Sequence, residues 1–464
     1  MLSRLFDPLR PLSLAPVYGF FAAVMIVLCA VVTPPGQTPD EQNHFARAAQ
    51  IAQGGWVGLR TSPRDSGGYL PSNVPRVMGP FDDLRFDARR KVSVPLLNGV
   101  AGLPWDDRRP FFNFGNTVIY APVTYLPGAA TIAVARATRM TVLQTSYAVR
   151  IVNGIVALVL ATLGIALARR GAVYLAVMAG LPMVMALAAS CSQDGILVGL
   201  AVLLAGVLSR IEPREQVSPR LWIGVAIGFA ILSVSKPPLI WCAAIPLAFG
   251  ARGHRLISAA PLLLSAVVVV FWQRVGIAPV KIQFLPDSGV SDAGQMHWVL
   301  THPTAIPALA FHTLRQTLHA RVLEFIGVLG WLDTPLPKGF YRLSYGVIAA
   351  ALALSCVALR ERTALRPTRL CMVLTLGTMA LASGSVFLSL YVIWTKVGGP
   401  VVEGVQGRYF LPIAPFLALV FPRTRQPGRV CASLLVHQLA VIGVAVFLFV
   451  TTLTVGTTLA GRYW

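Results

Sequence analysis

The sequence predicts an all-α polytopic membrane protein, a bundle of about eleven spanning helices with a long loop after the first. Of its 464 residues, 55% are hydrophobic and only 12% are charged, and the mean hydropathy is +0.68. Many apolar stretches approach the roughly 20 residues that a helix needs to cross a bilayer. The formal net charge of +21 comes from 39 Lys and Arg residues against 18 Asp and Glu. These gather in short loops between the apolar stretches, which is the positive-inside pattern, and such loops suit anionic lipid head groups. Nucleic acid is therefore excluded as a partner.

The first span, 15–33, follows Arg4 and Arg10 and lacks a small-residue cleavage site after it. It reads as a retained anchor with a cytoplasmic N-terminus. Residues 34–145 are mixed in charge and rich in Pro and Gly, and are expected to form the first extracytoplasmic loop. Within them, residues 117–135 are apolar enough to cross, but a crossing there would reverse every later loop. A re-entrant or surface helix pair is expected instead. With Arg150 opening the second span, Arg169, Arg170, Arg210, Arg214, Arg220, Arg252 and Arg255 fall inside. So do Arg360, Arg362, Arg366, Arg369, Arg423, Arg425 and Arg429, while Asp194, Lys236, Lys396, Glu403 and Arg408 fall outside.

The later spans are expected at 150–168, 172–190, 195–209, 221–235, 237–250, 256–273, 342–359, 370–393, 409–421 and 431–457. Several are short for a bilayer. A second large outer loop, 276–341, contains an apolar stretch, 305–331, expected to lie on or dip into the membrane. No repeat is evident, so residues 1–464 read as a single transmembrane domain.

The most informative stretch is T-P-P-G-Q-T-P-D-E-Q-N-H-F, residues 33–45, directly after the first span. Thr38 has the position of an N-cap, Pro39 of the first helical residue and Glu41 of the partner in a T-x-x-E capping box. Asp40 and His44, four apart, then share a helix face. The acidic pair serves either to cap the helix or to provide a general base at the membrane surface. The six cysteines, at 29, 191, 242, 356, 371 and 431, form no C-x-x-C or zinc spacing and read as small buried hydrophobes. There is no P-loop and no G-x-G-x-x-G before a helix, so nucleotide use has no support.

On this topology the unusual polar residues converge on the outer face. Asp40, Glu41 and His44 lie there with Arg150, with Asp194 in S-C-S-Q-D, Lys236 in S-K-P-P, and Arg408 and Tyr409 in G-V-Q-G-R-Y-F-L-P. Ionisable groups at membrane depth are candidates for function. Carboxylates can deprotonate a hydroxyl, and cations can hold a lipid-linked phosphate. Tyr120 and Tyr125 in Y-A-P-V-T-Y-L-P, and Asp333 in G-W-L-D-T-P, add a candidate substrate groove, or else an interfacial aromatic belt.

These motifs, with L-P-M-V-M-A-L-A-A-S-C-S-Q-D, S-K-P-P-L and L-T-H-P, resemble the polytopic membrane family called domain of unknown function 2142. The resemblance covers nearly the whole chain. Two departures are Gln42-Asn43, where Pro-Ala or similar is expected after the acidic pair, and Ala121, where a second proline is usual. That family in turn looks like the GT-C superfamily of glycosyltransferases, which use lipid-phosphate sugars. This resemblance implies a GT-C-like bundle at the outer face of a bacterial inner membrane. A sugar would pass from a polyprenyl-phosphate donor to a surface glycan or lipid-linked acceptor. Asp40, or failing it Glu41, would take the acceptor proton, and Lys236, Arg150 and Arg408 would neutralise the leaving phosphate. No nucleotide is needed, and a divalent cation is left open. The rival classes are a transporter or lipid flippase, and a non-catalytic subunit of envelope glycan assembly.

Overall fold

The first helix shows how the chain divides its apolar surface. In the computed structural model, which describes residues 13–211, 218–250, 255–357, 367–423 and 431–464, α1 spans Leu14–Val32 and carries no charge. Tyr18, Ala22, Met25 and Cys29 face inward, while Phe20, Val24, Val27 and Val31 stay exposed. Both sets recur every three or four residues, so one stripe packs on protein and the other is left for lipid.

The remaining elements follow in order. The segment after α1 holds α2 (Glu41–Ala52), β1 (Leu59–Arg60), β2 (Ser66–Tyr69), α3 (Asn73–Met78), α4 (Val94–Ala101), β3 (Phe111–Asn113) and α5 (Leu126–Ala137). Then come α6 (Val142–Leu167), α7 (Ala172–Ala179), α8 (Pro182–Ala188), α9 (Asp194–Leu208), α10 (Pro219–Ser235) and α11 (Arg255–Trp272). The chain continues through α12 (Asp292–Thr301), α13 (Ile306–Gly327), β4 (Val328–Leu329), β5 (Thr334–Pro335), α14 (Lys338–Val357), α15 (Arg369–Ile393) and α16 (Cys431–Tyr463).

Six helical stretches are long and apolar enough to cross a membrane: Leu14–Val32, Val142–Leu167, Ile257–Ile277, Lys338–Cys356, Arg369–Ile393 and Leu435–Tyr463. Four shorter apolar ones are Asp194–Leu208, Pro219–Ser235, Pro237–Phe249 and Gly407–Val420. The chain is thus a helical membrane protein. Three of the expected spans are not continuous α-helices, and prolines explain why. The stretch 172–190 divides into α7 and α8 because Pro182 holds Leu181 extended (φ −62°, ψ 143°). Pro237–Phe249 is a 3-10 helix beginning with two prolines and containing Pro246. The 409–421 stretch consists of 3-10 turns, Gly407–Phe410 and Ala414–Val420, the second starting beside Pro415. Arg4, Arg10, Arg214, Arg252, Arg360, Arg362, Arg366, Arg425 and Arg429, which support the expected alternation of loops, lie outside the described residues.

Glycines let α6 and α9 touch backbone to backbone. A Cβ on Gly164 would meet the Val202 carbonyl at 2.5 Å, and one on Gly206 the Gly164 carbonyl at 2.1 Å. This small-residue seam fixes α9, and with it Asp194, against α6. The segment after α1 adds a small antiparallel sheet in the order β1-β2-β3, which the sequence reading lacked. Gly67 pairs with both Leu59 and Asn113 there. Helix α5, within the stretch expected to be a re-entrant or surface helix pair, has 12 residues and rises about 18 Å, short of the roughly 30 Å hydrocarbon layer.

Candidate functional site

Helix α2 begins at Glu41, and the residue before it, Asp40, has left-handed backbone (φ 62°) with no side-chain cap. The capping box expected at Thr38 is therefore absent. The T-x-x-Q box that does form is at the start of α6, where Thr141 and Gln144 bond reciprocally at 3.3 and 2.9 Å. Glu41 turns away from Thr38 into the bundle and meets Arg150.

That meeting saturates both groups. Arg150 Nε and Nη2 donate to the two Glu41 oxygens at 2.7 and 2.6 Å. Its other donors reach the carbonyls of Ala30 (2.9 Å), Thr33 (2.6 Å) and Pro34 (2.9 Å). Glu41 also accepts from the backbone N–H groups of Gly36 (3.1 Å) and Cys191 (3.2 Å). The side chains are 0% and 1% exposed, and Arg150 lies two turns inside α6 rather than at its mouth. All five guanidinium donors are used. The pair clasps α1, α2, α6 and the turn before α9, and has no donor or acceptor left for a ligand.

Asp333 is similarly occupied. It accepts from Phe86 N (2.8 Å), Trp331 N (3.1 Å), Thr334 Oγ1 (3.0 Å) and Arg462 Nη2 (3.1 Å). It ties the end of α16 to the β4–β5 turn.

The other candidates do come together. Asp40 accepts from Arg408 Nη2 and Asn116 Nδ2, both at 3.0 Å, and its side chain is still 31% exposed. Arg408 is buried, bonds Gln406 Oε1 at 2.6 Å, and stands 3.8 Å from Asp194. Asp194 pairs with Lys236 at 2.7 Å. The Lys236 and Arg408 charges each lie 5.3 Å from the Tyr409 ring. Two acids and two bases thus form one chain of contacts, Asp40–Arg408–Asp194–Lys236, with Tyr409 between the cations. Asp40 is its most accessible member.

His44 is held by Tyr125 and Ser192. Nδ1 is 2.6 Å from the Tyr125 hydroxyl and Nε2 is 3.3 Å from Ser192 Oγ. Its ring stacks with Tyr120 at 6.0 Å and with Tyr125 at 5.8 Å. Tyr125 is buried and serves to hold His44, while Tyr120 is half-buried. Burial pushes the His44 pKa down to about 4; Asp194 and Asp40 oppose the shift, and Arg408 and Lys236 add to it. The imidazole is therefore neutral at physiological pH.

This depression has a testable sign. Unfolded, the ring titrates near pH 6.5, so between about 6.5 and 4 the unfolded chain binds a proton that the native one does not. Stability is full above that window, falls as pH drops through it by up to about 3 kcal/mol, and is level below. The melting temperature of the wild type minus that of His44→Gln should fall between pH 6.5 and 4. A difference that is flat with pH would show that His44 titrates normally.

Sequence reasoning missed Arg47, Asn116, Ser192, Gln193, Arg85 and Glu324. Buried Arg47 donates to the Tyr120 carbonyl at 3.0 Å and to Trp56 O at 2.8 Å, fixing the tyrosine loop on α2. The i,i+3 pair Arg47 and Gln50, bonded at 2.5 Å, was the available signal for it. Gln193 accepts from Thr124 Oγ1 at 2.6 Å. Glu324 accepts from Gly407 N at 2.7 Å and sets the turn that carries Arg408. Among the described residues, no three His, Cys, Asp or Glu side chains come together as a metal site.

No curated protein and no solved structure matches the chain. Residues 23–417 match the family described as "Predicted membrane protein (DUF2142)", so more than half of the chain is covered and it belongs to that family.

Proposed function

We propose that the chain is a membrane glycosyltransferase that moves a sugar from a polyprenyl-phosphate donor to a cell-surface glycan or lipid-linked acceptor. One observation carries this reading: a part-exposed carboxylate, Asp40, is contiguous with two cations, Lys236 and Arg408, at the ends of apolar helices. The acceptor hydroxyl gives its proton to Asp40 as its oxygen bonds the anomeric carbon. The bond from that carbon to the phosphate oxygen breaks, and Lys236 and Arg408 meet the charge that develops on the leaving phosphate. Asp194 holds both cations, and neutral His44 stacks with Tyr120. The donor enters from the lipid, at the outer face of a bacterial inner membrane, with residues 34–145 and 276–341 outside. Glu41, Arg150, Tyr125 and Asp333 support the site without touching substrate.

The test is transfer by purified protein in lipid nanodiscs, supplied with synthetic polyprenyl-phosphate sugars and a panel of lipid-linked acceptors. Appearance of glycosylated acceptor with release of polyprenyl phosphate supports the reading.

A second reading, a transporter or flippase, is favoured by the interrupted helices at Gly180-Leu181 and Pro237–Phe249, since broken spans line transport sites. Movement of labelled polyprenyl-phosphate sugar across proteoliposomes, without transfer, would favour it.

A further inference from the structure

Beside the charged chain lies a second cationic place that the reaction above does not use. Arg85, just after the Gly79–Leu84 turn, lays its guanidinium 4.0 Å over the Trp331 ring. Trp331 is itself pinned, its Nε1 donating to Gly36 O at 2.8 Å and its backbone N to Asp333. Gly36 stands four residues before Asp40, so the indole is fastened to the loop that presents the candidate base.

Three features mark this as more than loop packing. Arg85 Nε is buried and finds no hydrogen-bond acceptor among the described residues; Nη2 stands 2.5 Å from Asp82 Oδ1, a buried oxygen that accepts no hydrogen bond from them either. A buried guanidinium donor without a partner is costly, and an incoming anion would satisfy it. Next, Phe86 is 72% exposed, an aromatic face at the rim beside Arg85. Finally, five non-glycine residues among those described have left-handed φ, and three of them belong here: Asp40 (62°), Phe86 (58°) and Leu332 (63°). Each costs conformational energy, and Asp333 holds two of them by accepting from Phe86 N and from Trp331 N beside Leu332. Burial pushes the Arg85 pKa down, and the charges of Asp82 and then Asp40 pull it back, so Asp40 acts electrostatically on this cation as well as on Arg408.

We infer that Arg85, Trp331 and Phe86 form an acceptor subsite for an anionic saccharide, a sugar ring carrying a phosphate or carboxylate. The inference rests on the transferase reading and deepens it. The guanidinium takes the anionic oxygens through Nε and one Nη, the indole and Phe86 offer apolar faces to the ring, and the acceptor hydroxyl is brought to Asp40. Asp82 competes with the ligand for Arg85. Arg85 is a specificity-determining residue, since the hydroxyl oxygens of an uncharged sugar accept from its donor more weakly than an anionic oxygen does.

The experiment titrates the full-length protein in nanodiscs by saturation-transfer NMR with glucose 1-phosphate, glucuronate and methyl β-glucopyranoside. Farnesyl phosphate serves as a probe of the donor place. The wild type should bind an anionic sugar more tightly than the neutral one, and the comparison of phosphate with carboxylate tells which anion is read. Arg85→Gln should weaken the anionic sugars about 10-fold, the scale of a charge-assisted bond, and leave farnesyl phosphate unchanged. Arg85→Lys, which keeps the charge but loses the planar fork, should be intermediate. Asp82→Asn should tighten the anionic sugars, a gain that misfolding cannot mimic. Equal binding of the three sugars, or anionic binding that Arg85→Gln and Asp82→Asn both leave unchanged, overturns the subsite. If farnesyl phosphate fails to bind while the Arg85-dependent sugar binding remains, the donor reading falls and the subsite stands.

Discussion

Arg150→Met is expected to lose most of the folded protein. The guanidinium it removes makes five hydrogen bonds, two to Glu41 and three to the backbone carbonyls of Ala30, Thr33 and Pro34. Glu41 would be left fully buried, with only the N–H groups of Gly36 and Cys191 to hold its charge. Breaking a buried pair from one side costs about 3–5 kcal/mol, a large share of the roughly 5–15 kcal/mol that holds a domain folded. Arg150→Lys should fare little better, because an ammonium cannot serve the planar fork. Glu41→Gln should also destabilise, since it strands the arginine charge. The measurement is thermal unfolding in nanodiscs together with monodisperse yield. A stable Arg150→Met protein that lost only transfer activity would make Arg150 a ligand-binding group and refute the clasp.

The clasp also shows where sequence reasoning reaches its limit. A capping box is a local rule, and T-P-D-E satisfies it, but Glu41 has a partner 109 residues away that outweighs any cap. Sequence cannot rank a local acceptor against a distant cation. Of the about eleven expected spans, the six that are long apolar helices were legible because composition alone decides them. The breaks in three others were legible in principle, at Pro182 in the first, at Pro237 and Pro246 in the second and at Pro415 in the third, since proline bars a continuous helix. Asp40, Asp194, Lys236 and Arg408 were legible as a group, because charges are scarce in such a chain and each follows or opens an apolar stretch. Their pairing was not, and it alters the chemistry: each cation already holds an acid, so the site is balanced before any phosphate arrives. Arg85 was hidden because it lies among Arg76, Arg89, Arg90 and other loop charges that nothing in sequence separates.

Asp40→Asn should reduce transfer at least about 100-fold, the low end for loss of a general base and about 2.7 kcal/mol of barrier. The substitution is chosen for its backbone. Residue 40 has φ 62°, which Asn tolerates better than most side chains, so the fold loses no conformational fit. The Asn116 bond can persist with its amide turned, and Arg408 keeps Gln406 Oε1 and the nearby Asp194. Melting temperature should therefore shift by only a few degrees, consistent with about 1 kcal/mol. Asp40→Ala would confound loss of the carboxylate with added backbone strain and is the poorer probe. Asp194→Asn is the contrasting variant: it frees Lys236 and Arg408 inside the bundle without touching the proton acceptor. It should lower donor affinity and stability more than Asp40→Asn does, and turnover at saturating donor less. Were Asp40→Asn to transfer sugar at the wild-type rate, Asp40 would be only the anchor of Arg408, and the proton would need another acceptor.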